Sequence, residues 1–293
     1  MNAIQPLRPG DLVAVVAPSG PFPRERYERG IAVWRERGYR VRELLPPGPW
    51  RYLASEDRER AAALREAFAD PEVRAVVVAR GGYGALRILP DVDWSAAAAS
   101  GKPLVGFSDA TAMHLSLFPH GARSVHGPVV TQLGEQPPAS VERLFSLLES
   151  SAPPPVIEGT QIVDGVATGR LVGGCLSLLA ALAGTPWLPP LDGCILLLED
   201  VGEAAYRIDR MWTQLRLSGA LDRVAGFAIG SLTDCPASGG VEAAAVLAEL
   251  AAAMGKPTLV DLPIGHGAVN LAVPHGARAE IRYGALRFLE GLA

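Results

Sequence analysis

The sequence predicts an α/β protein whose first half is a parallel sheet covered by helices and whose second half is a smaller α+β domain. Apolar runs such as Leu12–Ala17 and Ala75–Ala79 are typical of strands that are buried on both faces. Charged segments with helical spacing, such as Arg24–Arg37 and Asp57–Asp70, lie between these runs. Because strands and helices alternate, we expect a parallel sheet with helices on both faces.

The remaining elements of the first half continue this alternation. We predict strands at Val41–Leu45, Leu104–Phe107 and Ser124–His126, and helices directly after Ser108 and at Ser140–Leu148. Three consecutive prolines, Pro153–Pro155, then interrupt the pattern, and prolines in a row continue neither a helix nor a central strand. We therefore assign residues 1–150 to the first domain, 151–158 to a linker and 159–293 to the second domain.

The second half is less regular, which favours an α+β arrangement. We predict strands at Ile162–Val166, Arg170–Val172, Cys194–Leu198 and Val224–Ile229, and helices at Cys175–Ala183, Glu203–Leu217 and Val241–Met254. The last 35 or so residues read as short strands and turns, since no long periodic segment occurs there.

Composition excludes several classes of function. The chain of 293 residues has a net charge of −4 and no basic stripe, which argues against a nucleic-acid partner. Its apolar windows are shorter than the roughly 20 residues that span a membrane, so we expect no membrane partner. The first ten residues lack a charged segment followed by an apolar one, so we expect no signal peptide. Three scattered cysteines indicate neither a zinc site nor a disulfide framework, and a cytoplasmic location follows.

Ser108 lies in the turn between a predicted buried strand and a predicted helix. A serine at the carboxyl end of such a strand can be exposed, with its hydroxyl close to the amides of the next helix. Gly106-Phe-Ser-Asp-Ala110 matches the nucleophile-elbow pattern Gly-x-Ser-x-Gly except at its last position. The local sequence by itself favours the alternative in which Ser108 is only the N-cap of the helix, because serine is a favoured cap.

Arg80-Gly-Gly-Tyr-Gly84 follows the third predicted strand. Glycines permit backbone conformations and close approaches that bring N–H groups to a ligand, so the turn is a candidate oxyanion or anion cradle. The spacing of a dinucleotide fingerprint is absent, and so is the lysine of a phosphate-binding loop. A tight turn with only a structural role remains an equal alternative.

Glu199 and His266 are candidates for the acid and the base of a hydrolase. Glu199 ends the predicted strand Cys194–Leu198, where a carboxylate can orient a histidine, whereas Asp200 and Glu203 fit better as residues that begin a helix. His266 is flanked by Gly265 and Gly267, which leave its imidazole free to point into a cleft. A structural role for this histidine is the alternative.

Several motifs together resemble those of the LD-carboxypeptidases, serine peptidases of the muramoyltetrapeptide carboxypeptidase type, and also those of the microcin C immunity peptidases. The motifs are Arg80–Gly84, Gly106–Thr111, His126–Pro128, Gly169–Gly174, Leu198–Asp200 with Tyr206–Arg210, and Pro263–His266. They occur in the family's order and spacing, and the similarity extends from Gly10 to Ala279. It implies a Rossmann-like N-terminal domain, a smaller α+β C-terminal domain, a homodimer, and neither metal nor cofactor.

The resemblance also implies roles for individual residues. Ser108 would be the nucleophile, Glu199 would orient the histidine, and His266 would be the general base. Backbone N–H groups of the Gly81-Gly82-Tyr83 turn and of Asp109 would form the oxyanion hole. A carboxypeptidase must also hold the terminal carboxylate of its substrate, and Arg80 is a candidate for that task.

Three positions depart from the family pattern. Cys175 stands where an asparagine is usual, Gly267 stands where a threonine is common, and His275 occupies a late Pro-x-Gly motif. None of them is a triad position, so they bear on substrate preference and leave the hydrolase chemistry unchanged.

The sequence therefore predicts a cytoplasmic serine carboxypeptidase whose partner is a small peptide. Its expected reaction is cleavage of the L,D bond of a murein tetrapeptide, which releases terminal D-alanine during cell-wall recycling. One alternative is a peptidase that detoxifies peptidyl-nucleotide antibiotics, for which Trp187 and Trp212 are possible nucleobase shelves. Another is a non-catalytic module that binds a small ligand on the same fold, since fold does not fix function.

Overall fold

A computed structural model describes residues 4–293, in which the expected mixed α/β architecture is confirmed. The first sheet has the strand order β12-β5-β4-β3-β1-β2. Its strands are β1 (Leu12–Val16), β2 (Arg40–Leu44), β3 (Val73–Val78), β4 (Leu104–Gly106), β5 (Ser124–His126) and β12 (Val273–His275). The strands β1 to β5 pair in parallel, so their carboxyl ends meet at one edge of the sheet. The more specific Rossmann-like assignment stays a prediction.

Helices connect the parallel strands. They are α1 (Arg24–Glu36), α2 (Asp57–Ala69), α3 (Ala85–Ile88), α4 (Trp94–Ala99), α5 (Thr111–Leu117), α6 (Val130–Leu133) and α7 (Pro138–Glu149). Short 3₁₀ turns lie at Leu89–Asp91, Ser108–Ala110 and Phe118–His120. The α1 and α6 helices pack closely because α1 carries Gly30, whose missing side chain makes room for the carbonyl oxygen of Val130.

The second sheet is mixed, with the order β6-β14-β13-β8-β9-β10-β11-β7. Its strands are β6 (Ile157–Glu158), β7 (Thr160–Val163), β8 (Ala167–Cys175), β9 (Ile195–Val201), β10 (Gly226–Thr233), β11 (Thr258–Val260), β13 (Arg278–Arg282) and β14 (Ala285–Phe288). Helices α8 (Leu176–Leu182), α9 (Ala205–Leu217) and α10 (Ala243–Ala252) complete this half. The strands β8 to β11 pair in parallel with one another, and the strands outside them pair antiparallel.

The β12 strand joins the first sheet although it lies late in the chain. Val273 pairs with His126, and His275 pairs with Ser124, in an antiparallel ladder at the edge of β5. His275 of the Pro-x-Gly motif, a motif that is typical of a turn, is therefore in a strand. The polypeptide between β11 and β12 crosses from the second sheet back to the first, and it carries His266.

The interface between the two halves is built around α5. Every residue of α5 is buried, because the helix packs against β8 and α8 as well as against its own half. One apolar cluster includes Met113 and Leu117 of α5 together with Val172 and Leu176 of the second half. The Thr111 hydroxyl also accepts a hydrogen bond from the backbone N–H of Cys175, at 3.1 Å. Burial of this apolar surface fixes the relative position of the two sheets.

The element types agree with the sequence-based expectation over most of the chain, and the largest difference concerns β8. The sequence indicated a strand only at Arg170–Val172 and a helix from Cys175. In the structure β8 continues to Cys175, because it pairs with β9 on one side and with β13 on the other. The boundaries assigned to the two domains stay a prediction.

Candidate active site

Ser108 occupies a strained turn at the carboxyl end of β4. Its φ angle is 62°, a left-handed conformation that residues other than glycine adopt rarely. The chain passes from Gly106 through a 3₁₀ turn that begins at Ser108, and α5 starts at Thr111 without a side-chain cap. The cap alternative therefore does not describe Ser108. Strain of this kind at a strand-to-helix turn is the backbone signature of a nucleophile elbow.

The glycine turn after β3 lies directly against Ser108. A Cβ atom added to Gly81 would lie 2.8 Å from the Cβ and 2.9 Å from the Oγ of Ser108, and 3.4 Å from the backbone nitrogen of Asp109. Only glycine fits at this position without displacing the serine. Gly82 and Tyr83 are exposed beside it, with Tyr83 at 46%. The structure thus brings the predicted oxyanion segments together around one serine.

Arg80, the candidate for binding a substrate carboxylate, is exposed at the start of the same turn. Its Nη1 atom donates a hydrogen bond to the carbonyl of Pro21. That bond tethers the side chain to the loop after β1.

Glu199 and His266 form a buried pair. The Nδ1 atom of His266 lies 2.6 Å from Oε2 of Glu199, whose side chain is fully buried, while that of His266 is 15% exposed. The neighbouring Asp200 points to the other side of β9, as expected from the alternation of side chains along a strand. It accepts hydrogen bonds from the backbone N–H groups of Ser177 and Val201, and so supports the first turn of α8. Glu199 is therefore the acid that faces His266.

The electrostatics of this pair suit a base supported by a carboxylate. Burial raises the pKa of Glu199, although its hydrogen bond with His266 opposes that shift. Burial on its own would lower the pKa of His266, but the hydrogen bond and the negative charge of Glu199 outweigh burial, and the pKa of His266 is raised. A carboxylate that stabilises the protonated imidazole makes the histidine a better proton acceptor.

Phe107 connects this pair to the serine turn. The ring of Phe107, the residue directly before Ser108, lies with its centroid 4.7 Å from that of His266. His266 therefore packs on the turn that carries Ser108, although the two residues come from opposite halves of the chain. The predicted nucleophile, base and orienting acid thus converge at the junction between the two sheets.

Two side chains that the sequence reasoning missed hold the His266 loop. The Ser231 hydroxyl donates to the carbonyl of Ile264 and accepts from the N–H of Gly267. Asn270 is fully buried, and its Oδ1 atom accepts from the N–H of Gly265 at 3.0 Å. The only sequence signal for Asn270 was its place in the glycine-flanked loop, and Ser231 had none.

The other histidines do not join the pair. His114, His126 and His275 are buried near one another in the interior, and burial lowers the pKa of each, that of His114 to about 4. His120 is exposed. Uncharged imidazoles in such positions pack as aromatic side chains.

Two of the unusual positions lie close to the pair. Cys175 is buried, with its Sγ atom 3.4 Å from Oδ1 of Asp200, and it pairs in register with Glu199 on the neighbouring strand. Gly267 directly follows His266, and the nearest atom to a Cβ added there is 3.4 Å away, on Ser231. Both positions therefore border the acid or the base.

Residues 4–293 contain neither a cluster of metal-binding side chains nor a membrane-spanning helix. No three His, Cys, Asp or Glu side chains there are grouped so that they could hold a metal ion. None of the helices in this part of the chain is both long enough and apolar enough to cross a membrane.

Comparison with known proteins identifies relatives over both halves. A family model described as the LD-carboxypeptidase N-terminal domain matches residues 13–127. A second model, described as the LD-carboxypeptidase C-terminal domain, matches residues 168–281.

Individual relatives agree with these matches. The murein tetrapeptide carboxypeptidase of Pseudomonas aeruginosa is 38% identical, over 82% of this chain and 82% of that protein. The crystal structure of muramoyltetrapeptide carboxypeptidase from Oxalobacter formigenes has a TM-score of 0.86 and 32% identity, over 96% of this chain and 98% of that one. The microcin C7 self-immunity protein MccF of Escherichia coli is 24% identical, over 95% of this chain and 92% of that protein.

Proposed function

This chain belongs to the LD-carboxypeptidase family, and we propose that it is a serine carboxypeptidase that releases the terminal D-alanine of a murein tetrapeptide by cleaving an L,D bond. The observation that carries the proposal is the Glu199–His266 pair, 2.6 Å apart, packed through Phe107 on the strained turn of Ser108. A relative named for this substrate is 38% identical to the chain.

The reaction begins with attack of the Ser108 hydroxyl on the scissile carbonyl carbon. His266 accepts the hydroxyl proton through the ring nitrogen that does not face Glu199, and Glu199 holds the tautomer and stabilises the imidazolium. The carbonyl oxygen becomes an oxyanion, which N–H groups of the Gly81–Tyr83 turn and of Asp109 stabilise. One such donor is worth roughly 3–4 kcal/mol of the barrier.

The tetrahedral intermediate then collapses. His266 returns its proton to the amino group of D-alanine, which leaves, and the remaining peptide stays as an ester on Ser108. Water attacks this ester with His266 again as the base, and the peptide is released with a new carboxylate. Arg80 lies at the start of the oxyanion turn, where a cation is suited to the terminal carboxylate of the substrate.

Release of D-alanine from L-Ala-γ-D-Glu-meso-diaminopimelate-D-Ala tests the proposal. We expect turnover by the wild type and a loss of at least about 10⁴-fold in Ser108→Ala. Ser116→Ala is a matched control, since Ser116 is a buried serine of α5 whose hydroxyl bonds only the carbonyl of Ala112. The same peptide ending in L-alanine should resist cleavage. Release by Ser108→Ala at the wild-type rate would remove Ser108 from the mechanism.

A second candidate is detoxification of peptidyl-nucleotide antibiotics, because the microcin immunity protein is also a relative. Trp212 is 1% exposed and offers no face to a nucleobase, which leaves the half-buried Trp187 as the possible shelf. Hydrolysis of a peptidyl-adenylate without release of D-alanine from the tetrapeptide would favour this candidate. Binding of either compound without turnover would favour the ligand-binding alternative.

We also propose that the enzyme acts in the cytoplasm as a homodimer. The three cysteines are all free thiols, which suits a reducing compartment. The dimer rests on the family resemblance, and sedimentation of the purified protein tests it. Fractionation of cells that express the protein tests the location.

A further inference from the structure

The side chain of Asp109 reaches away from Ser108 to the far end of the glycine turn. This carboxyl group is 1% exposed, and its Oδ2 atom accepts a hydrogen bond of 2.7 Å from the backbone N–H of Ala85. The residue after the proposed nucleophile is thereby bonded to the residue that follows Gly84.

Arg60 binds the same peptide group from the opposite side. Its side chain is fully buried, and its Nη1 atom donates to the carbonyl oxygen of Gly84 at 2.9 Å. The carbonyl of Gly84 and the N–H of Ala85 belong to one peptide unit. That unit is therefore held at its oxygen by a guanidinium and at its nitrogen by a carboxylate.

The guanidinium is itself fixed by its remaining donors. Its Nε atom donates to the carbonyl of Ser55 at 3.1 Å, Nη1 also donates to the carbonyl of Pro18, and Nη2 pairs with Asp57. Pro18 lies in the loop after β1, so Arg60 ties that loop to the glycine turn. A second bond between the same loops runs from the N–H of Gly20 to the carbonyl of Gly81, at 3.1 Å.

We propose that Asp109 and Arg60 are positioning residues that clamp the Gly84–Ala85 peptide and so hold the N–H groups of the glycine turn at the oxygen of the reacting carbonyl. This inference rests on the proposed function, in which that turn forms part of the oxyanion hole. Donors that are fixed in advance need no reorganisation when the negative charge develops. A turn released at one end is free to move by an ångström, and a misplacement of that size costs about 10²-fold in rate.

Burial raises the pKa of Asp109 to about 6, while the neighbouring Ser19 hydroxyl, the bond from Ala85 and the charge of Arg60 oppose that rise. The carboxyl group keeps an acceptor oxygen for the Ala85 N–H in either protonation state. An asparagine at this position also keeps such an oxygen, whereas an alanine does not. The pair Asp109→Ala and Asp109→Asn therefore separates the hydrogen bond from the charge.

The test measures kcat and KM for D-alanine release together with amide hydrogen exchange at Gly81–Ala85. In Asp109→Ala we expect kcat to fall about 10²-fold with KM nearly unchanged, because the loss is confined to the transition state. Exchange of the Ala85 amide should accelerate at least about tenfold, since its hydrogen bond is gone. Asp109→Asn should restore both to within about tenfold of the wild type.

Two further variants keep the test decisive. Asp109→Ser replaces the carboxyl group by a hydroxyl group that is too short to reach the Ala85 N–H, so it should reproduce the loss of kcat if Asp109→Ala fails to fold. Asp93→Ala is the control, since Asp93 makes the same kind of bond, 2.9 Å to the N–H of Ala96, away from the site. It should leave kcat unchanged.

Each outcome decides the question. Loss of kcat and of Ala85 protection in Asp109→Ala, with rescue by asparagine, supports the clamp. Unchanged kcat in Asp109→Ala, or no rescue by asparagine, overturns it. If the wild type releases no D-alanine, the proposed function fails, and amide exchange alone then decides whether Asp109 holds the turn.

Discussion

Phe107 and His266 lie with ring centroids 4.7 Å apart, although the two positions are 159 apart in the chain. Phe107 directly precedes Ser108, and His266 is the partner of Glu199. The contact therefore joins the two ends of the proposed proton path across the junction between the sheets. Substitutions in the turn that carries Ser108 and substitutions at the Glu199–His266 pair can therefore be tested separately.

The first prediction separates the two adjacent acids of β9. In Glu199→Gln we expect kcat to fall by about 10⁴-fold, because the amide neither fixes the required tautomer nor stabilises the imidazolium. The matched change Asp200→Asn should cost far less activity, since Asp200 does not face His266, although the amide oxygen replaces only one of the two oxygens that accept from Ser177 and Val201. Steady-state kinetics on the tetrapeptide measures both. Equal losses in the two variants would contradict the assignment of Glu199.

The second prediction concerns pH. His266 must be uncharged to accept the serine proton, and Glu199 raises its pKa above the ordinary value of 6.5. Activity should therefore be lost as the pH falls through a value above 6.5, and it should be retained at higher pH. The pH dependence of kcat/KM from about pH 5 to about pH 9 measures this acid limb. In Glu199→Gln the residual activity should have its limb at lower pH, because the cause of the raised pKa is removed. An acid limb that stays in place in this variant would show that another group controls it.

The third prediction uses the space around two glycines. Gly81→Ala should reduce kcat/KM by at least about 10²-fold, because the new methyl group would lie 2.8 Å from the Cβ atom of Ser108 and displace the turn. Gly267→Ala adds the same methyl group beside His266, where the nearest atom is 3.4 Å away, and should be tolerated. Full activity in Gly81→Ala would show that the turn does not need its close approach to the serine.

The fourth prediction concerns stability away from the site. A Cβ atom on Gly30 would lie 1.8 Å from the carbonyl oxygen of Val130, so Gly30→Ala must push α1 and α6 apart. We expect a loss of about 3 kcal/mol in the free energy of unfolding, measured by urea titration. Glu28→Ala, at an exposed position of the same helix, is the control and should cost less than about 0.5 kcal/mol. A stable Gly30→Ala variant would mean that the two helices are not tightly packed.

Local sequence patterns are informative about the fold because most elements are strongly periodic or continuously apolar. The sequence predicts strands at Leu12–Ala17 and Ser124–His126, and the structure has strands at Leu12–Val16 and Ser124–His126. The position of β12 was not predictable, since its place at the edge of β5 depends on contacts with residues about 150 positions away. The full length of β8 likewise depends on its neighbours β9 and β13, because its glycines weaken the local signal.

The residues of the candidate site also fall into two groups, those that the sequence indicates and those that only the folded structure reveals. Ser108, Glu199 and His266 stand at recognisable positions next to glycines or at strand ends, so the sequence alone marks them as candidates. Ser231 and Arg60 bond backbone groups that lie far away in the chain, and a sequence holds no local sign of such contacts. Asn270 bonds Gly265 in its own loop, but only the folded loop brings the two groups together. The side-chain role of Asp109 was missed for that reason, whereas its backbone N–H was already a candidate.

The pairing of β12 with β5 has a consequence for how the protein unfolds. Because the segment with His266 is anchored in the second sheet at β11 and in the first sheet at β12, neither sheet can melt without releasing one end of it. The chain should therefore lose its structure in one cooperative calorimetric transition, and a fragment that ends in the proline segment should lack a partner for the edge of β5. Ser108 and His266 thus belong to a single folding unit. A partly folded protein in which Ser108 is in place without His266 should therefore not accumulate.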